Sequence, residues 1–259
     1  MRLSVASKRL QVLRSFAAAT GAVALVVLHS VFKQILAIGD AAAFASAGLL
    51  ERTVWQALLL GSAALAWHRR GRAPWLRPLA LGLGSAAFAH WAAYTLLLHN
   101  PLWSLQAVGS LPLANLLLPA YAIAIAVLVW TRGAFEWQAR WVRPLLDGMV
   151  MLLLALLVSS ELRQLFSGTY LTAASVDQAE SLLRSLAGIV LAIAFLLWGA
   201  RSGERSWRIG SLVLLLLAVG KVFLHDAAAL DGFLRIASFA ALGFSLIGIG
   251  WFYSRQLRQ

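Results

Sequence analysis

Long apolar runs, separated by short arginine-rich loops, constrain the fold of this chain more than any other feature. Of its 259 residues, 61% are hydrophobic and only 12% are charged, whereas a soluble domain carries roughly 25% charged residues. A helix needs about 20 apolar residues to cross a membrane, and backbone polar groups in lipid must be satisfied within the helix. The sequence therefore predicts an all-α, polytopic transmembrane helical bundle. Eight predicted spans lie near residues 15–38, 51–68, 76–98, 111–131, 144–166, 181–199, 207–226 and 232–253.

Positive charge lies in alternate loops, and this pattern sets the predicted orientation. The net charge is +12. Arginine and lysine collect near 2–14, 69–77, 132–143, 201–208 and 255–258. Cytoplasmic loops carry such an excess, and tryptophans favour the membrane surface, where most of them fall here. We therefore expect a multi-pass protein of the bacterial inner membrane with both termini in the cytoplasm. The charge serves topology in this interpretation, so nucleic acid is not an expected partner.

A weak internal repeat divides the chain into two halves. Lys33 falls on Arg163 (163 − 33 = 130), Glu51 on Glu180 and His90 on Lys221 at nearly the same offset. Each half holds an even number of spans, so the two copies are parallel. The predicted domains are two four-helix transmembrane repeats, 1–132 and 133–259. The basic start followed by an apolar run also resembles a signal peptide, but the repeat argues against cleavage because the fifth span resembles the first.

Ionisable residues within or beside the spans gather toward the predicted periplasmic end. Such residues are costly in a membrane and often functional. Each half offers a base from its first span, an acid from its second and a base from its third. We expect these six to share a periplasm-facing cleft that binds an anionic ligand: Lys33, Glu51, His90, Arg163, Glu180 and Lys221. The structural alternative is that the lysines extend to the membrane surface and the acids complement helix dipoles, while a lone histidine serves packing.

Motifs for other chemistry are absent from the sequence. There is no cysteine, so no disulfide framework or thiolate-bound metal is possible, and no two histidines have metal-ligand spacing. Neither a phosphate-binding glycine loop nor a nucleophile elbow occurs. No metal and no cofactor are therefore expected. Asn115 and Pro119 interrupt the fourth predicted span, which indicates either a kink at a cavity or a bend with polar packing.

The C-terminal stretch has a pattern of its own. An outer helix end is followed by a tight Asp-Gly turn and a helix with an arginine one turn inside. Asp226 or Asp231 can pair with Arg235 and pin the last two predicted spans together. The residues are KVFLHD at 221–226 and LDGFLRIASF at 230–239.

This pattern resembles the C-terminus of a bacterial predicted membrane protein family, domain of unknown function 2339. The segments LPLANLLL at 111–118 and ELRQLF at 161–166 are also similar to family motifs. Family members look longer, with an N-terminal coiled coil and more spans. The chain is similar to their last two repeat units, as a short member or a truncated reading frame. The resemblance implies a membrane location and no mechanism.

Three functions are compatible with these features. The first is binding or transport of an anionic envelope component, a lipid headgroup or a glycan, in the periplasmic cleft. The second is a membrane-embedded transferase with His90 or His225 as general base. It is less favoured, because His225 and its neighbour Asp226 point about 100° apart on a helix. The third is a scaffold whose ion pairs are structural. Membrane lipid is an expected partner, with other membrane proteins or a second copy as candidates.

Overall fold

A computed structural model describes residues 41–135, 139–173 and 175–222, with side chains from residue 48, and single positions within 16–23 and 243–254. The chain divides into two compact units, Met1–Gly48 and Leu49–Gln259. All the contacts discussed below lie in the second unit.

The described helices number six and make an all-α architecture. Helix α2 continues without a break into a π-helical segment, Trp91–Leu98, in which the backbone is wound more widely. The bounds are α1 Ala41–His68, α2 Leu76–His90, α3 Leu117–Ala134, α4 Val142–Ser167, α5 Gln178–Ser202 and α6 Arg205–Lys221. We call the end formed by the loops 69–75, 135–141 and 203–204 the arginine-rich end. The end formed by the loops 99–116 and 168–177 is the polar end.

Four of these helices are long and apolar enough to cross a membrane. They are Leu76–Leu98, Leu117–Ala134, Val142–Ser167 and Gln178–Ser202, and they coincide with four of the predicted spans. The predicted span 51–68 and the described part of the predicted span 207–226 are helical but do not belong to this set. The first carries two charged residues and a glutamine in its first six positions, and the described part of α6 has 17 residues. The predicted spans 15–38 and 232–253 lie almost entirely outside the described residues, so the count of eight remains a prediction.

The outward face of α5 shows how these helices meet their surroundings. Its large apolar side chains recur at helical spacing and are about half exposed: Leu182, Leu186, Val190, Ile193 and Leu197. A stripe of this kind exceeds the apolar patches that water-soluble monomers tolerate. In lipid it is the expected surface, because hydrocarbon chains are as apolar as leucine.

The start of α3 differs from the prediction. The predicted span began near residue 111, but the helix begins at Leu117, because the preceding loop contains Leu113 with φ 63°. The Asn115 side-chain oxygen accepts hydrogen bonds from the first two helical N–H groups, at 2.8 and 3.2 Å. Pro119 lies in the first turn, where a missing N–H costs nothing. These residues therefore mark a helix start, and the predicted kink is wrong.

Close helix approach depends on small residues between α4, α5 and α6. A Cβ added at Gly199 would lie 2.9 Å from the Arg208 backbone nitrogen and from the Trp207 Cβ. Gly210 of α6 faces the end of the Met151 side chain of α4, which would have to move to admit a Cβ. Membrane helices lack a hydrophobic drive to associate and gain mainly from such packing. The glycines therefore set the spacing of these helices.

We expect Gly199→Ala to destabilise the protein by about 1–3 kcal/mol, because the added methyl group overpacks the α5–α6 contact. The matched control is Gly82→Ala, where nothing lies within 4 Å of the added carbon. Thermal unfolding in detergent micelles should show a lower midpoint for Gly199→Ala only. Equal midpoints for the two variants would contradict this packing.

Candidate functional site

The loop between α4 and α5 brings a buried ion pair together at the polar end. Helix α4 ends at Gly168, whose φ of 72° suits glycine and whose N–H donates to Gln164. Helix α5 begins after Asp177, whose side chain accepts a hydrogen bond from the N–H of Gln178. The end of α4 and the start of α5 are therefore each set by residues close by in the sequence. Together they place Arg163, in the last turns of α4, beside Glu180, in the first turn of α5.

Glu180 is held between two guanidinium groups. Arg163 Nη1 lies 2.5 Å from Glu180 Oε2, and the two side chains are 6% and 0% exposed. Arg184, one turn further along α5, lies 2.8 Å from Oε1 and is 26% exposed. Arg163 Nε also donates to the Leu171 carbonyl at 2.7 Å. The carboxylate is thus compensated from both sides, as a buried charge requires.

Lys221 joins the end of α6 to the same turns of α5. Its Nζ donates to the Ser181 carbonyl at 2.9 Å, and to the hydroxyls of Ser181 and Ser185 at 2.8 Å each. Ser181 directly follows Glu180 in the sequence. The three predicted site residues of the second half, Arg163, Glu180 and Lys221, therefore meet at the first turns of α5.

The described site residues of the first half, Glu51 and His90, lie on or near α1. Glu51 is buried, as is its neighbour Arg52, whose Nη2 donates to Gln106 Oε1 at 2.6 Å. His90 lies within electrostatic range of both charged groups, but its side chain is exposed and its ring contacts Tyr94, with centroids 4.8 Å apart. Lys33 lies outside the described residues. A single cleft shared by all six groups therefore remains a prediction.

The two polar-end loops link these groups. The loop 99–116 meets the loop 168–177 through an isolated bridge between Ala107 and Tyr170, and the Val108 N–H donates to Thr169 at 3.0 Å. Gln106, which binds the α1 arginine, precedes the bridge. Leu171, which binds the α4 arginine, follows it. Hydrogen bonds therefore run from α1 through both loops to the ion pair at α5.

The loop 99–116 is also anchored to the last turns of α4. Asn115 Nδ2 donates to both Glu161 oxygens, at 2.9 and 2.8 Å, and to Gln164 Oε1 at 2.6 Å. The Leu113 N–H donates to Glu161 Oε2 at 3.0 Å. Gln164 Nε2 returns to the Gly109 carbonyl at 2.9 Å. These bonds hold Leu113 in its left-handed conformation, which costs a leucine about 1–2 kcal/mol.

A smaller polar group lies at the arginine-rich end, where the sequence singled out no site residue. Arg132 Nε lies 2.6 Å from Asp147, and its Nη2 lies 2.6 Å from Glu204. The Ser206 hydroxyl donates to Asp147 at 2.5 Å. Asp147 is buried inside a predicted apolar span. A carboxylate at such a position is the sequence signal that could have identified this polar group. Gln106 offered no comparable signal, because its partner lies 54 residues away.

Among the residues with described placement, no group of three or more histidine, cysteine, aspartate or glutamate side chains could hold a metal. The predicted pairs of Asp226 or Asp231 with Arg235 lie outside the described residues. The chemistry of the described polar end is that of guanidinium, ammonium, carboxylate, hydroxyl and amide groups.

Comparison with known proteins identifies a family. A family model described as a predicted membrane protein, DUF2339, matches residues 1–256. The chain belongs to this family. No curated protein and no solved structure matches it. Membership in DUF2339 together with four apolar helices makes this a multi-pass membrane protein.

We expect Glu180→Ala to lower the free energy of unfolding by about 3–5 kcal/mol, because it leaves a buried guanidinium uncompensated. The double variant Arg163→Met/Glu180→Leu removes both charges, so it should be less destabilised than the single variant. The control is Asp177→Ala, which removes only an exposed helix cap worth about 0.5–2 kcal/mol. Unfolding by heat or denaturant in micelles measures all three. A double variant as unstable as Glu180→Ala, or more so, would show that the uncompensated guanidinium is not the source of the effect.

Proposed function

We propose that this protein binds an anionic component of the bacterial envelope, a lipid headgroup or a glycan, at the first turns of α5. The observation that carries the proposal is the grouping there of Arg163 and Arg184 around Glu180, with Lys221 bound to the adjacent Ser181. Three cations and one carboxylate of the described residues meet at the N-terminus of a helix, whose dipole also favours an anion. Arg184 and Lys221 are only partly buried, so a ligand can reach them.

The membrane arrangement that we propose places this site at the periplasmic side of the inner membrane. Eight spans with both termini in the cytoplasm would put the arginine-rich end inside. The repeat, with domains 1–132 and 133–259, is supported by like environments at matched positions. Glu51 and Glu180 are both buried. Each has a base nearby from the third predicted span of its own half, His90 for Glu51 and Lys221 for Glu180.

A scaffold role is the second candidate, and one observation favours it. The hydrogen bonds of the polar end join α1, α4 and α5 through two loops, which is what a purely structural network would do. For the transferase, the described contact of His90 is with an aromatic ring. Nothing at that position favours proton transfer.

Cysteine labelling tests the orientation, and the chain suits it because it contains no cysteine. We expect Ser110→Cys, in the exposed part of the loop 99–116, to react with a membrane-impermeant maleimide on intact spheroplasts. Gly71→Cys, in the opposite hairpin, should react only after permeabilisation, because positive-inside topology keeps it in the cytoplasm. The reverse pattern would place the polar end in the cytoplasm and remove any periplasmic site.

Ligand binding is tested by photo-crosslinking of full-length protein in nanodiscs. Phosphatidylglycerol with a photoreactive headgroup is one probe, and a photoreactive uronic-acid oligosaccharide is the other. We expect one of them to label residues 178–185 and Arg184→Gln to weaken the affinity measured by that labelling at least about tenfold, because a charged hydrogen bond is worth about 1.5–3 kcal/mol. The control Arg201→Gln changes the same charge at the other end of α5. Equal labelling by all three proteins, with normal folding, would favour the scaffold.

A further inference from the structure

The hairpin between α1 and α2 contains a cavity that the polar-end site does not involve. The cavity has a volume of about 280 Å³ and is lined by Leu65, His68, Arg69, Gly71 and Arg72. It lies at the arginine-rich end, at the turn where α1 stops and α2 has not yet begun. Three of its five lining side chains are basic, and none is acidic.

The basic groups of this cavity differ from the other cations nearby. Arg132 is paired with two carboxylates, and Arg70 stacks 4.6 Å from the Trp67 ring centroid and donates to the Trp67 carbonyl. The side chains of His68, Arg69 and Arg72 are exposed, and within the described part of the chain they form no hydrogen bond or ion pair. Their hydrogen-bond donors are available to a ligand.

The cavity lies at the level of a membrane surface. Only three residues separate Arg72 from Leu76, where the first of the four membrane-length helices begins. Trp67 packs edge-on against Trp130 at 5.2 Å, and Trp75 is 59% exposed. Indole rings gather where hydrocarbon meets headgroups, so the three tryptophans mark that boundary beside the cavity.

An apolar strip of α1 leads to the cavity from the membrane side. Leu58, Gly61 and Leu65 are exposed at helical spacing, and His68 continues the same row. Nothing lies within 4 Å of a Cβ added at Gly61, so the strip is shallow and open there. A hydrocarbon chain lying along this strip would end with its polar head at the basic cavity.

We propose that this cavity binds the phosphoryl group of an anionic phospholipid, with an acyl chain along the strip formed by Leu58, Gly61 and Leu65. Arginine matches phosphate oxygens with paired N–H donors, and Arg69 and Arg72 supply two such groups without a competing carboxylate in the cavity. The volume suits a phosphate with its glycerol but is small for a nucleotide. The apolar strip favours a lipid over a free phosphate ion. This site lies in the opposite leaflet from the polar-end site, so either can fail without the other.

The experiment compares full-length protein with Arg69→Gln/Arg72→Gln in nanodiscs and micelles. Native mass spectrometry counts bound phosphatidylglycerol and phosphatidylcholine, and photo-crosslinking locates the bound lipid on residues 58–76. A charged hydrogen bond to the phosphoryl group contributes at least about tenfold to affinity, so loss of both arginines should weaken phosphatidylglycerol binding roughly a hundredfold. The matched control, Arg201→Gln/Arg205→Gln, removes two exposed cations from the neighbouring hairpin at the same end. It should change binding by less than about threefold, because these residues do not line the cavity and salt screens their charge beyond roughly 10 Å.

Two additional arms make the outcome decisive. Arg69→Lys/Arg72→Lys keeps the charge but loses the paired donors. Its affinity for phosphatidylglycerol should fall between that of the unsubstituted protein and that of Arg69→Gln/Arg72→Gln. Inorganic phosphate at millimolar concentration should not displace the lipid, and complete displacement would assign the cavity to soluble phosphate instead. Equal losses in the 69/72 and 201/205 variants, or equal binding of both lipids, would overturn the proposal. The thermal midpoint of each variant, which should match that of the unsubstituted protein, excludes misfolding.

Discussion

Charge that is buried among apolar helices must be compensated, and this requirement organises the polar end of the protein. Removing an ion from water costs several kcal/mol even after the protein relaxes. Glu180 meets that cost with a guanidinium on each side, from Arg163 on α4 and Arg184 on its own helix. The loop 168–177 connects α4 to α5 and lets Arg163 reach Glu180. The carbonyl of Leu171 in that loop completes the environment of Arg163.

The two ends of the described bundle treat cations in opposite ways. At the polar end Arg52 and Arg163 are buried and bound to groups of neighbouring elements, and the partly buried Arg184 is bound to a carboxylate of its own helix. At the arginine-rich end most of the described arginines are exposed, while Arg132 is bound to Asp147 and Glu204. Exposed cations can bind a charged surface, whereas buried cations can bind only a ligand that enters the protein. The two binding proposals follow this division.

Local physics explains which features could be read from the sequence. The four membrane-length helices were predictable because hydropathy over about 20 residues decides whether a segment can cross lipid. The start of α3 was not, because residues 111–116 are nearly as apolar as the helix. Only the φ angle of Leu113 and the capping by Asn115 separate loop from helix there. Arg163 and Glu180 could be singled out because charges are costly in an apolar span. The role of Gln106 could not, because it depends on a contact with Arg52, 54 residues away, that no periodic pattern in the sequence reveals.

Helix α4 is fastened at both of its ends, and this restricts how the protein can move. Near its start Asp147 holds Arg132 of α3 and Ser206 of α6. Near its end Glu161 holds Asn115, and Arg163 holds Glu180. A helix with two such attachments resists both tilting and sliding along its axis. In a transport cycle α4 would therefore stay fixed. The helices that move would be those without contacts at both ends.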